Sequence, residues 1–283
     1  MAKRIAQELE ELIILNYQNG VSPYQMVKLI PELSNMRATV IYGVLKRMGI
    51  KAHKPQSITE EQRRNRRKFQ VNDNYFETID DEHKAYWLGF IYADGFIVSD
   101  SSKFGVSLSN DDKPHLEKLK LALEFTGEVK DYVQTKGYAE GVTYSRLLIT
   151  SSKIKQDLIK HGVVPNKTNL IEFPDFLPQD LISHFIRGYF DGDGCITHHS
   201  TQVCGNLNYM IKITGTYDMI KKIESHIGVP FQIAQRFPER GVDNFSIETG
   251  GNTKVKKILN YMYKDATVFL DRKYNKALAC MQQ

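Results

Sequence analysis

The chain has 283 residues, of which 41% are hydrophobic and 25% are charged, so it can build folded cores and global disorder is excluded. No apolar run approaches the roughly 20 residues of a membrane span, and the first residues lack the pattern of a signal peptide. Three cysteines do not make a disulfide framework, so we expect a protein of a reducing compartment with no membrane partner.

Residues 1–53 are predicted to form a small all-α module with a helix-turn-helix arrangement. Three runs with helical spacing are separated by Gly20 and Pro31, and Gly49 ends the third, which Ser34 is predicted to cap. The residues at the start of the third helix that suit base edges and phosphates are Asn35, Arg37 and Thr39. Many three-helix modules bind nothing, so a purely structural module remains the alternative.

Residues 54–73 are predicted to form a basic linker helix. Between positions 51 and 70 there are seven lysines and arginines against two glutamates, an excess equal to the +5 net charge of the whole chain. Such focused charge favours a polyanionic partner, and a solvated linker helix is the equally weighted alternative. The side chains predicted to contact phosphates are Arg63, Arg64, Arg66 and Arg67.

The rest of the chain contains an internal repeat, with a first half at 74–170 and a second half at 171–283. Each half opens with an apolar helix that ends in Asp-Gly, AYWLGFIYADG at 85–95 and HFIRGYFDGDG at 184–194. Two strands, an amphipathic helix, two further strands and a closing helix are predicted to follow each one. A terminal helix around 264–280 closes the chain.

The two aspartates that precede these glycines are unexpected, because a helix C-terminus already carries partial negative charge. Asp94 and Asp193 are therefore predicted to meet a cation. Small residues at i and i+4 give each helix a smooth strip that allows close packing. These helix-interface residues are Gly89, Ala93, Gly188 and Gly192. If the strips pack together, both carboxylates emerge side by side, which is an arrangement that hard divalent cations bind, so we expect Mg²⁺ or Mn²⁺.

The segments WLGFIYADG and IRGYFDGDG resemble the two signature helices of the LAGLIDADG homing endonucleases, in the single-chain form with two motifs. The resemblance covers roughly 200 residues and includes the order of elements after each motif. It implies an α+β fold made of two pseudo-symmetric αββαββα halves with antiparallel DNA-binding sheets. The helix-turn-helix module would make this a phage or bacterial type.

The resemblance also implies a function. A protein of this kind is a site-specific endonuclease that hydrolyses phosphodiesters on both strands of a long, asymmetric DNA site with Mg²⁺. We expect double-stranded DNA as the partner, a monomer with no obligate protein partner, and the cytoplasm of a bacterial host cell. Two alternatives remain open on the same scaffold: a non-cleaving DNA-binding regulator and an intron-splicing maturase.

Roles within the motifs follow by position. The last acidic residue of each motif binds metal in that family, which gives Asp94 and Asp193 the metal-binding and catalytic roles. Asp191 matches an earlier acidic position in the second motif alone and is given a packing or capping role. A basic residue near the scissile phosphates is usual, and Lys153 and Lys254, near the ends of the fourth strands, are the candidates. The segment 164–168 resembles a connector and is interpreted as structural.

Alternate residues on one face of each sheet are predicted to contact DNA, whereas ordinary polar sheet faces are the alternative. The candidates in the first half are Lys103, Gln134, Lys136, Tyr144 and Arg146. The candidates in the second half are Gln202, Asn206, Asn208, Lys212, Gln232, Gln235, Arg236 and Arg240. A zinc site formed by Cys195, His198, His199 and Cys204 is disfavoured because the first half has no corresponding ligands.

Overall fold

The computed structural model describes residues 6–51, 64, 67–137, 140–165, 167, 170–200 and 207–283. The chain divides into two units, Met1–Arg66 and Arg67–Gln283. This division falls within the predicted linker at 54–73, most of which lies outside the described residues. Within the described ranges, no helix is both long and apolar enough to cross a lipid bilayer.

The N-terminal unit has three short helices around a small core. They are α1 (Gln7–Gln18), α2 (Pro23–Leu29) and α3 (Ala38–Arg47). Ser22 and Gln25 form a reciprocal capping box at the start of α2. The predicted cap of the third helix at Ser34 is wrong, because its hydroxyl donates to Pro31 O and closes a 3-10 turn instead. Helix α3 therefore begins four residues later, at Ala38.

The C-terminal unit contains the element order αββαββα twice, as the sequence predicts. The first half consists of α4 (Glu82–Asp94), β1 (Gly95–Ile97), β2 (Lys103–Ser109), α5 (Lys113–Ala122), β3 (Lys130–Val133), β4 (Thr143–Thr150) and α6 (Ser152–Lys160). The second half consists of α7 (Ile182–Asp193), β5 (Gly194–Ser200), β6 (Leu207–Gly215), α8 (Tyr217–Ile227), β7 (Gln232–Gln235), β8 (Phe245–Gly250) and α9 (Asn252–Tyr263). A terminal helix, α10 (Asp271–Gln282), follows.

Each half has one antiparallel four-stranded sheet, in the order β1-β2-β4-β3 and β5-β6-β8-β7 respectively. Side chains alternate between a core face and an outer face along each strand. In β4, Ser145, Leu147 and Ile149 are buried, whereas Tyr144 and Arg146 lie on the outer face. The α+β fold class predicted from the sequence is therefore confirmed.

Helices α4 and α7 form the centre of this unit. Every residue from Ala85 to Ala93 in α4 is buried, as is every residue from Phe185 to Asp191 in α7. The buried stretch of α4 is apolar on all sides and has no face to present to water, whereas α7 also buries Arg187 and Asp191, which have hydrogen-bond partners in the interior. Asp81 begins α4 by accepting a hydrogen bond from Lys84 N, and the two Asp-Gly sequences end both helices. The first strand of each sheet starts directly at those glycines.

Candidate metal centre and nucleic-acid interface

Helices α4 and α7 approach each other at two glycines. A Cβ on Gly89 would lie 2.1 Å from Phe185 O, and a Cβ on Gly188 would lie 1.9 Å from Tyr86 O. Both obstacles are backbone atoms, so they cannot move unless the helix moves. This close approach explains why glycine is present at positions where it costs about 1 kcal/mol relative to alanine.

The crossing brings the C-terminal ends of both helices together. A Cβ on Gly192 would lie 2.3 Å from Ala93 Cβ and 3.2 Å from Asp94 Oδ2. The carboxylate of Asp94 is therefore beside the residue that precedes Asp193. Asp94 is half-buried and Asp193 is exposed. The two aspartates predicted to act together thus lie at the same end of the helix pair.

The surroundings oppose ionisation of this carboxylate pair. Burial, and then the negative charge of Asp193, raise the pKa of Asp94 to about 6. Burial by neighbouring protein atoms also raises the pKa of Asp193, although this residue is the more exposed of the two. Positive charge on Lys167 and Lys273 acts in the opposite direction on both groups. The pair is consequently a place where a further cation would stabilise the charged form.

Two lysines bind the carboxyl ends of the paired helices. The buried ammonium of Lys273 donates to Phe190 O and Asp191 O at 2.7 Å, and to Gly194 O at 2.5 Å. Lys167 donates to Ala93 O in the last turn of α4. Cations stabilise helix C-termini, so the two lysines offset the negative potential of the last carbonyls of α4 and α7, the helices that end at the aspartates. Burial lowers the pKa of Lys273 to about 8, which leaves it mostly charged at neutral pH.

The structure does not bring the predicted basic residues, Lys153 and Lys254, to the aspartates. The ammonium of Lys153 is 2.8 Å from Asp157 Oδ2 within α6, which neutralises it there. Lys254 lines a separate surface cleft beside Gln232 of β7 and Glu248 of β8. The cations whose charges act on the carboxylates instead are Lys167, Lys273, Arg272 and Arg236.

Sequence reasoning missed the two lysines for different reasons. Lys167 lies in the segment 164–168 that was interpreted as a connector. Lys273 lies far along the chain from both motifs, but a signal was present. Leu270, Lys273, Ala277 and Cys280 recur at helical spacing and are all buried, so a lysine occupies the apolar stripe of α10. A lysine at such a position needs acceptors, and these are the carbonyls that end α7.

The packing role predicted for Asp191 is confirmed. This fully buried carboxylate accepts hydrogen bonds from Tyr86 OH at 2.7 Å, Tyr263 OH at 2.5 Å and Leu270 N at 2.8 Å. Those partners belong to α4, to α9 and to the residue that precedes α10. Asp191 therefore fixes the start of α10, the helix that carries Lys273.

A cavity of about 220 Å³ opens beside Asp193. The polar side chains that line it belong to Tyr92, Lys167, Tyr189, Asp193, Thr214, Arg236 and Asn244. Arg236 directly follows β7, and its positive charge lowers the pKa of Asp193 against the effect of burial. The cavity thus joins an acidic group to two basic ones, which is a suitable surrounding for a phosphate group and water.

The predicted DNA-contacting residues of the sheets divide into three groups. Lys103, Tyr144 and Arg146 share the outer face of the first sheet, and Asn208, Lys212 and Gln232 share that of the second. Gln134, Lys136, Arg236 and Arg240 lie beyond the ends of strands, and Gln134 Nε2 donates to Lys136 O. Gln202 and Asn206 lie outside the described residues.

Gln235 is placed differently from the prediction. It pairs with Phe245, whose ring packs against the core, so it lies on the opposite face of the sheet from Gln232. The strand period of two separates residues 232 and 235, which sequence reasoning had placed together.

The basic residues near the linker are also only partly described. Arg67 Nη1 is 2.7 Å from Asp73 Oδ1, and the whole side chain is mostly buried, which contradicts an exposed phosphate contact. Arg64 is described only as a partly buried helical residue, and Arg63 and Arg66 lie outside the described residues. In the N-terminal unit Asn35, Arg37 and Thr39 are all exposed around the start of α3.

No group of three or more His, Cys, Asp or Glu side chains positioned to hold a metal occurs among the described residues. Cys195, His198 and His199 lie on β5, where alternation puts His198 on the opposite face from the other two. Cys204 lies outside the described ranges.

Comparison with known families gives residues 81–161 as a match to the model described as "LAGLIDADG-like domain". The matched segment is similar to that domain. It contains all of α4, with Asp94, and the strands and helices of the first half. The resemblance to the LAGLIDADG family predicted from the sequence is thereby confirmed.

Individual proteins similar to this chain include the DNA-directed RNA polymerase subunit Rpo1C of Methanocaldococcus jannaschii, which is 24% identical over 195 residues. The alignment covers 65% of this chain and 22% of that protein, so the chain spans about a fifth of the length of its relative. Similar solved structures include those of two LAGLIDADG proteins. The meganuclease I-AabMI bound to uncleaved DNA has 11% identity and a TM-score of 0.47, covering 72% of this chain and 91% of that one. The homing endonuclease I-GzeII in complex with its DNA target has 12% identity and a TM-score of 0.48, covering 72% and 89%.

Proposed function

We propose that this chain is a site-specific DNA endonuclease that hydrolyses one phosphodiester in each strand of a long, asymmetric duplex site with the help of Mg²⁺ or Mn²⁺. The observation that carries the proposal is the pairing of Asp94 and Asp193 at the joined ends of α4 and α7. The LAGLIDADG-like domain supports the class of substrate, because similar proteins of this name are homing endonucleases bound to DNA.

The residues present fit a divalent cation. Asp94 and Asp193 would hold it, and DNA phosphate oxygens and water would supply the remaining ligands, as is usual for Mg²⁺. The bound ion would polarise the phosphoryl oxygen and activate the attacking water. The protein's own cations have a different role: Lys167 and Lys273 hold the two carboxyl helix ends in place, and Arg236 would bind a phosphate oxygen in the cavity beside Asp193.

The test is cleavage by single variants. Asp94→Asn and Asp193→Asn should each abolish cleavage of a target plasmid while duplex binding is retained. The plasmid carries the uninterrupted site, which is made by joining the two sequences that flank the gene encoding this chain. Asp265→Asn is the matched control, because it makes the same exchange in an exposed turn with positive φ, a conformation that asparagine tolerates. If both single variants cut at the wild-type rate, the metal-site assignment is wrong.

Two outcomes with the wild-type protein would favour the alternative functions, a non-cleaving DNA-binding regulator and an intron-splicing maturase. Specific duplex binding without cleavage at any Mg²⁺ or Mn²⁺ concentration would identify a regulator. Binding to structured RNA in preference to duplex DNA would identify a maturase.

We further propose that residues 1–53 are a helix-turn-helix DNA-binding module and that 54–73 link it to the two halves at 74–170 and 171–283. The exposed side chains of Asn35, Arg37 and Thr39 around the start of α3 support this. Arg37→Gln should weaken DNA binding at all sequences and reduce the slope of log affinity against log salt by about one. Unchanged affinity and slope would exclude Arg37 from a phosphate contact.

We also propose that the chain acts as a monomer in the cytoplasm of a bacterial host, since both halves of the pseudo-symmetric body lie in one chain. Light scattering of the free protein and of its DNA complex tests the monomer. A stable dimer in both states would contradict it.

A further inference from the structure

The outer face of the first sheet holds one arginine among aromatic rings. The guanidinium carbon of Arg146 lies 5.3 Å from the ring centre of Phe96, 5.4 Å from that of Tyr132 and 5.3 Å from that of Tyr144. The two tyrosine rings stack on each other, with centres 5.5 Å apart and planes 18° apart. Arg146 Nε also donates to Ser107 Oγ at 2.8 Å. We call these three rings and Ser107 the Arg146 cage.

The strand register and one glycine build this cage. Arg146 is directly opposite Ser107 on β2, and Tyr132 on β3 is directly opposite Tyr144 on β4. Phe96 on β1 is paired with Gly105 on β2, and its ring reaches the cage over this glycine. A Cβ at position 105 would lie 2.9 Å from the Phe96 ring and 2.5 Å from a backbone oxygen. A side chain at position 105 would therefore displace the ring.

The cage is close to the carboxylate pair along the chain but is not part of it. Phe96 follows Asp94 by two residues, at the start of β1. The positive charges that act on both aspartates most strongly are those of Lys167 and Lys273. Arg146 thus belongs to the outer face of the first sheet, where the proposed function would place the duplex.

The hydrogen-bonding state of the guanidinium decides what it can recognise. Ser107 occupies Nε, and within the described part of the chain no other hydrogen bond of Arg146 is present. The Nη1 and Nη2 groups thus remain as a planar fork with parallel donors. Such a fork matches the O6 and N7 acceptors of guanine in the major groove, whereas a lysine is a flexible point charge that neither presents a planar pair of donors nor stacks on the rings in the same way. Rings that restrict the arginine also reduce the ordering cost of binding.

The second sheet differs at its outer face. Lys212 lies directly across from Glu248, with Nζ 3.6 Å from a carboxylate oxygen, so its charge is partly offset by a neighbour on the same face. The described strands of the second sheet, β5 to β8, contain no arginine, so no counterpart of Arg146 lies on them.

We infer that Arg146 is a specificity-determining residue, which reads one guanine in the half-site bound by the first sheet, and that the Arg146 cage orients it. This inference rests on the proposed DNA-cleaving function, because it requires a duplex on the outer face of the sheet.

The test uses the full chain and a set of duplexes that carry each single base-pair change in the cleaved site. We expect one position in one half-site where replacing G·C weakens binding by the wild-type protein roughly 5- to 150-fold. Arg146→Lys, which keeps the charge and loses the fork, should reduce that preference to within about 3-fold while preferences at all other positions stay unchanged. Lys103→Gln, on the same face, should weaken binding at all sequences alike.

A second variant tests the cage itself. Tyr144→Leu removes one ring and keeps the arginine, so it should weaken the preference at the same position and at no other. Urea unfolding of each variant shows whether it is folded before binding is measured. If Arg146→Lys keeps the guanine preference, or if a folded variant loses affinity equally for every duplex, the inference is wrong. Failure of the wild-type protein to bind any duplex would overturn the proposed function and this inference together, whereas normal cleavage without an Arg146-dependent position would overturn this inference alone.

Discussion

Replacing Gly188 by alanine tests the close crossing of α4 and α7 directly. The new Cβ would lie 1.9 Å from Tyr86 O and 2.9 Å from Phe90 N, whereas real Cβ atoms essentially never come closer than 3.0 Å to such neighbours. Both contacts are with the backbone of α4, so no side-chain rotation relieves them. The helices must therefore separate by about 1 Å or more at this point.

The separation has two measurable effects. Overpacking of a core costs about 1–3 kcal/mol, and alanine regains about 1 kcal/mol in helix propensity. Because the obstacle is backbone, we expect the upper end of that cost and a net loss of about 2 kcal/mol in the free energy of unfolding of the C-terminal unit. A 1 Å misplacement at a reacting centre lowers the rate by about 100-fold, and Gly188 lies five residues before Asp193.

The assay is unfolding in urea, with near-ultraviolet circular dichroism as the readout. Cleavage rates are measured on the same preparations. Gly43→Ala is the matched control, since it is also a helical glycine but its Cβ would meet nothing within 4 Å. It should stabilise the N-terminal unit by up to about 1 kcal/mol and leave unfolding of the C-terminal unit unchanged. A Gly188→Ala protein as stable as the wild type would refute the reasoning, whatever its activity.

Three further predictions concern buried charged and titratable groups. Lys273→Met should lower the free energy of unfolding by about 3 kcal/mol, because several carbonyls at the end of α7 lose a charged donor. The control Lys276→Met changes an exposed lysine of the same helix and should alter the free energy of unfolding by less than about 0.5 kcal/mol. Equal effects of the two changes would contradict the capping role of Lys273. Arg187→Leu should cost about 3–5 kcal/mol in urea unfolding, since this fully buried guanidinium is 2.7 Å from Glu82 Oε1 and binds two backbone carbonyls; a loss below 1 kcal/mol would show that the network contributes little. Burial lowers the pKa of His115 to about 3, so its contribution to the free energy of unfolding is complete above pH 6.5 and is lost as the pH falls, at about 1.4 kcal/mol per pH unit. His115→Gln should remove this part of the pH dependence between pH 6 and 4. An unchanged pH dependence would mean that the wild-type imidazole is protonated in the folded state.

The order of helices and strands could be predicted because each element has its own local pattern of apolar and polar residues. Two apolar runs that each end in Asp-Gly indicated a repeated helix, and alternation indicated half-buried strands. Small residues at i and i+4 pointed to a close helix crossing, and the structure places Gly89 and Gly188 against the backbone of the partner helix. Each of these features depends on residues within about one turn of each other.

The supporting charges of the site could not be predicted in the same way. Lys273 binds carbonyls of residues 190–194, and Arg67 is paired with Asp73 in the interior rather than with solvent. The face on which Gln235 lies depends on a register with β8 that a single strand does not encode. The spacing around Lys273 indicates a buried lysine but not its acceptors, and the register of β7 depends on another strand, so local periodicity does not identify these partners.

The position of Lys273 in the chain has a consequence for synthesis. Its ammonium reaches the end of α7 from about 80 residues further along, and its helix is fixed through Leu270 by Asp191. A nascent chain interrupted between residues 193 and 273 contains both Asp94 and Asp193 but lacks the lysine that binds the end of α7. On the ribosome, the environment of the acidic pair is therefore completed only after α10 has been made.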